Sequence, residues 1–63
     1  MNKQEIKNRM NQLINEESSN NKKIKELRSS GQMGVGFEIQ DLKWRNEEIS
    51  KEYTKLQSKL FWL

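Results

Sequence analysis

Three groups of residues in this chain have types and spacings that could do chemistry. They are adjacent carboxylates at Glu16-Glu17 and Glu47-Glu48, glycines spaced G-x-x-G-x-G at Gly31, Gly34 and Gly36, and a basic run of Lys22, Lys23, Lys25 and Arg28. Paired carboxylates act as general acid and base only when they converge on one site. Neighbouring helix positions point about 100° apart, so neither pair converges, and both read as solvated charges. A phosphate-cradling loop follows a strand and carries G-x-x-x-x-G-K-[ST]. No strand pattern precedes these glycines and no lysine completes the motif, so they read as a turn. No G-x-S-x-G nucleophile elbow occurs. Histidine and cysteine are both missing, which removes disulfides and the usual zinc ligands. The chain is therefore expected to have no catalytic residue, no metal and no cofactor, and not to be an enzyme.

The basic run remains. Twelve Lys and Arg against nine Asp and Glu give a formal net charge of +3. A cluster of this kind is either a solvated helix face or a set of phosphate contacts. Lys22, Lys23, Lys25 and Arg28 are accordingly the candidate nucleic-acid residues.

What must position these groups is a single small domain. A chain of 63 residues buries only ~60% of its unfolded surface. Scaffolds of this size recruit disulfides, a metal or further chains, and only further chains are left here. No apolar run approaches the ~20 residues of a membrane span, and no apolar stretch of signal-peptide type follows the start. The expected place is the cytoplasm, with no membrane partner.

Asn2-Lys3-Gln4-Glu5 has the form of a capping box. From it, Ile6, Met10, Leu13, Ile24 and Leu27 recur in steps of three and four, with Glu17 and Asn20 filling the middle of a heptad seam. Ser18, Ser19, Asn20 and Asn21 are poor helix formers, yet the seam keeps its phase across them. One helix is predicted over about 2–29. The glycines then impose a turn over about 30–36, with Gly31 placed for a left-handed C-cap. A second helix is predicted over about 37–62, its seam being Ile39, Leu42, Asn46, Ile49, Tyr53, Leu56, Leu60 and Leu63.

The two seams are in phase about Met33. Folded there, positions whose numbers sum to 66 meet: Leu27 with Ile39, Ile24 with Leu42, Asn20 with Asn46, Leu13 with Tyr53, Met10 with Leu56 and Ile6 with Leu60. Only Glu17 opposite Ile49 is mismatched. The predicted fold is all-α, an antiparallel two-helix hairpin of coiled-coil type spanning 1–63. On its flank the diagonal partners Arg9 with Glu52 and Glu16 with Arg45 are opposite in sign but farther apart, and the nearest residues are Arg9 with Lys59, Glu16 with Glu52, and Lys23 with Arg45, all like-charged. Those charges are expected to face other helices in a dimeric four-helix bundle.

The aromatics fall elsewhere. With Ile39 at heptad position a, Phe37 and Trp44 both fall at f, away from the seam. Met33, Val35, Phe37, Trp44 and Arg45 form one candidate docking patch. Phe61 and Trp62, off the seam at the other end, form a second. Trp and Arg are the types enriched in interface hot spots.

In size and hairpin plan the chain resembles the plasmid RNA-binding regulator Rop, with Lys3-Gln4-Glu5 as the shared opening. It is also similar in plan to the short hairpin aspartyl-phosphate phosphatases of sporulating bacteria. Their S-Q-x-x-D motif falls on Ile39-Gln40-Asp41-Leu42-Lys43, with Ile39 in place of the Ser and Lys43 in place of the Asp. That activity is therefore not carried over. The sequence points to a small interaction protein, an adaptor or inhibitor of a larger protein that forms a homodimer. The alternative is a dimeric nucleic-acid-binding regulator.

Overall fold

A computed structural model describes residues 2–31 and 33–63. Met1, and Gln32 in the expected turn, lie outside them. The described residues form two helices and no strand: α1 (Lys3–Ser30) and α2 (Val35–Trp62), of 28 residues each. The helices pack against each other as a rod 48 Å long. The beginning of α1 meets the end of α2, as Arg9 with Glu52 shows, and the later part of α1 meets the earlier part of α2, as Asn20 with Asn46 shows, so the pair is antiparallel.

Asn2 starts α1 from extended backbone, and its Oδ1 accepts from the amide of Glu5 at 2.8 Å. The return arm of the box differs from expectation. The Glu5 carboxylate accepts from the Asn2 side-chain amide at 3.2 Å rather than from its backbone. The helix runs unbroken through Glu16–Asn21. Its weak formers are held by tertiary bonds, since Glu16, Asn20 and Asn21 all reach side chains of α2. Gly31 ends α1 with φ +67°, a conformation open to glycine without a Cβ penalty.

Gly34 stands at the N-cap of α2 with φ +87° and offers no capping side chain. The helix begins at Val35, two residues before the predicted Phe37. Gly36 is thus helical, and its cost of ~1 kcal/mol relative to Ala is small beside the packing of the whole element.

The core lies at one end of the rod. Ile6, Met10, Leu13, Ile49 and Leu56 form the buried cluster, with Tyr53 and Leu60 packed against it. Toward the turn, Ile24 alone of the described residues is buried, while Leu27, Ile39 and Leu42 are half-covered. Ile49 is buried even though Glu17 opposes it in the seam. Leu13, one turn earlier, belongs to the same cluster, and Glu17 lines an open groove beside Ile14, Ile49 and Tyr53.

Candidate interaction surfaces

Three polar layers determine which surfaces remain free. In the first, Arg9 Nε and Nη2 donate to the two oxygens of Glu52 at 2.6 and 3.0 Å. In the second, Arg45 makes the same two-pronged contact with Glu16, the Nη2 bond being 2.9 Å, and its Nη1 reaches Glu48 at 3.3 Å. These are the diagonal pairs of the flank. The expectation that the flank charges face other helices is corrected here. A guanidinium is long enough to cross one turn and grip a carboxylate by two parallel bonds, so the opposite-sign diagonals win over the like-charged near neighbours. The bond to Arg9 holds the Glu52 carboxyl below the ordinary range, and the bond to Arg45 does the same for Glu16. Both arginines are shifted upward by the same hydrogen bonds.

The third layer is amide. Asn20 Nδ2 donates to Asn46 Oδ1 at 3.0 Å, and Asn46 Nδ2 donates to Asn21 Oδ1 at 3.0 Å. The seam pairing of Asn20 with Asn46 is as expected. Asn21 escaped the sequence reading because it lies one residue off the seam. The Asn20-Asn21 doublet was the available signal, since Asn46 sits between the two and can use both ends of its amide.

The aromatic candidates lie outside all three layers. Met33 is 99% exposed, Phe37 83% and Trp44 56%. Neither Met33 nor half-buried Val35 covers Phe37. Phe61 and Trp62 are 81% and 82% exposed, and touch each other edge to face with ring centres 5.6 Å apart. Arg45 separates from this group, because its guanidinium is held by Glu16 on the flank. Phe37 lines a shallow depression with Gly34, Gly36 and Gln40, and Trp62 lines another with Ile6, Lys59 and Leu63.

The basic candidates Lys22, Lys23, Lys25 and Arg28 are all exposed, and none forms an ion pair among the described residues. At 100° per residue Lys22, Lys25 and Arg28 fall within about 120° on one face of α1, and Lys23 lies off it. Lys22 and Lys25 line one depression, while Arg28 lines another together with Lys43. Among the described residues, no three acidic side chains lie close enough to hold a metal ion, and no helix is long and apolar enough to cross a membrane. No family model, curated protein or solved structure matches the chain.

Proposed function

We propose that this chain is a small, non-enzymatic, cytoplasmic protein-interaction module, an adaptor or inhibitor of a larger protein, whose docking surface is the outer aromatic face of α2. One observation carries the reading: Phe37 and Trp44, seven residues apart on one stripe, are 83% and 56% exposed and belong to neither the buried cluster nor the polar layers. Contiguous exposed apolar surface on a small chain marks an interaction site. The helices are joined by a glycine-rich turn that sets Met33 at the tip beside that stripe, and hairpins associate in pairs to give four helices.

The test is capture of binding proteins from the native cell with wild-type chain and with Phe37→Ala and Trp44→Ala chains, with and without nuclease. Loss of the captured protein in both variants, with nuclease making no difference, supports the reading. A nuclease-sensitive complex that weakens steeply with salt through counterion release, and that is lost on neutralising Lys22, Lys23 and Lys25, replaces it with a nucleic-acid-binding regulator.

A further inference from the structure

The outer face of α2, heptad positions b, c and f, is polarised along its length. Its first half reads Phe37, Gln40, Asp41, Trp44, Glu47, Glu48. Its second half reads Lys51, Thr54, Lys55, Ser58, Phe61, Trp62. Every acid of the face is in the first half and every base is in the second. The i,i+4 pair of Glu47 with Lys51 and the i,i+3 pair of Glu48 with Lys51 are not formed among the described residues. The one ion pair on this face is the weak contact of Glu48 with Arg45 at 3.3 Å. Asp41, Glu47, Lys51 and Lys55 have no ion pair among the described residues. Aromatic side chains stand exposed at both ends.

A face with this order is complementary to itself when reversed. We infer that the outer face of α2 docks on the same face of a second copy, antiparallel, about a two-fold axis near Ile49-Ser50. Positions whose numbers sum to 99 then oppose each other, an f always meeting a c. Glu48 meets the second copy's Lys51, Trp44 meets its Lys55, Asp41 meets its Ser58 and Phe37 meets its Trp62, each pair occurring twice. Trp44 lies over a lysine stem and ammonium, and the exposed aromatics cover one another. The result is a layer of four helices with the two α2 helices innermost, rather than a bundle around one shared core.

The area agrees. The hairpin exposes 5110 Å², whereas a compact monomer of its mass exposes about 4,300 Å². The excess is that of an elongated two-helix rod, and it leaves room for the ~800 Å² that each partner hides in a standard interface. The alternative surface, the groove of Ile14, Glu17, Ile49 and Tyr53, is less suited to a second copy. Glu17 lies near the midpoint of α1, so an antiparallel copy there brings two Glu17 carboxylates together.

This assignment rests on the reading of the aromatic face as a docking surface, and names its first occupant. A larger target bound on the same face competes with the second copy. The test is sedimentation equilibrium of wild-type chain, of Glu48→Lys, of Lys51→Glu and of an equal mixture of the two variants. Wild type is expected at twice the chain mass. Each variant alone sets like charges against each other at two symmetric places, and its self-association weakens roughly tenfold or more. In the mixture every such place is again opposite in sign, and a heterodimer forms. Variants that dimerise as well as wild type, or a mixture no tighter than its parts, overturn the assignment. So does a wild-type chain that stays monomeric at high micromolar concentration. None of these results touches the reading of the aromatic face as a docking surface for a larger protein, which falls if Phe37→Ala and Trp44→Ala leave target capture intact or if the captured complex is nuclease-sensitive.

Discussion

The two halves of the rod are built differently from the same heptad pattern. In the half that holds both termini, Ile6, Met10 and Leu13 close against Ile49 and Leu56 and are fully or nearly fully buried. In the turn half, Leu27, Ile39 and Leu42 occupy equivalent seam positions and stay half-covered, with Ile24 alone buried. Of the polar layers, Arg9–Glu52 lies inside the terminal half, and Glu16–Arg45 and the asparagines lie at the middle. A seam position therefore specifies direction and not burial. Burial requires neighbours on both sides, and next to the amide layer and the turn a leucine has fewer of them. Stability belongs to the terminal half, which leaves the turn half free to carry exposed Met33, Phe37 and Trp44.

The largest expected effect tests that division directly. Leu13 has no exposed surface, and Leu13→Ala should cost ~2–5 kcal/mol, as truncation of a fully buried leucine does. Leu42→Ala, the same chemical change in the turn half, should cost clearly less, about 2 kcal/mol or under, because its side chain is only partly covered. Urea melts of the two variants, each at a concentration that keeps the chain monomeric, check the contrast. Equal losses would mean that the halves are equally packed.

A smaller effect is expected at the amide layer. Asn46 is bonded to both Asn20 and Asn21. Asn46→Leu strands both partners but adds apolar burial, and the net change should be about 1 kcal/mol or less. Asn20→Leu with Asn46→Leu removes both seam amides and should be clearly more stable than either single variant. A coupling of ~1 kcal/mol in the double-mutant cycle marks a direct contact, and simple additivity would deny it.

The ion pairs set a third, pH-dependent contrast. The folded values of Glu16 and Glu52 lie below the ordinary 4.5. A carboxyl depressed in the folded state stabilises fully above its unfolded value, and that contribution fades as pH falls through the folded value. Melting temperature should therefore hold level from neutral pH to about 5 and decline below it. The Glu16→Gln, Glu52→Gln double variant should melt lower at neutral pH and show a shallower acid decline. The side chains are more than a third exposed, so the effect should be modest and should shrink further in high salt.

How much of this was legible in the sequence follows from the reach of each signal. The helices, the seam and the meeting of Asn20 with Asn46 were all available, because heptad periodicity is a local pattern and the two seams are in phase about Met33. The diagonal ion pairs were visible but ranked behind the nearer like-charged pairs, because backbone separation favours Arg9 with Lys59, whereas side-chain length and the geometry of the guanidinium fork decide the contact. Asn21 was missed since periodicity says nothing of a residue one step off the seam. The uneven core was also out of reach. Glu17 and Asn20 dilute the middle of α1, but only the packed structure shows that Leu42 suffers from it more than Leu13.

The smallest expected effect on the fold is at Trp44, and it bears most on function. The indole is more than half exposed on the outer stripe of α2 and joins none of the polar layers. It is also absent from the buried cluster. Trp44→Ala should cost the isolated hairpin about 1 kcal/mol or less, far below the ~3–5 kcal/mol of a buried aromatic. The measurement must be made on dilute chain, where a second copy does not contribute. The same variant should weaken association across the α2 face by ~2 kcal/mol or more, as hot-spot truncations do. Stability and binding must come apart in one molecule. Leu13→Ala is the control, because it loses stability first and binding only as a consequence of unfolding. If dilute Trp44→Ala melts as early as Leu13→Ala, the indole holds the turn half together. The exposed stripe would then be a brace for a thin core rather than a surface kept open for another chain.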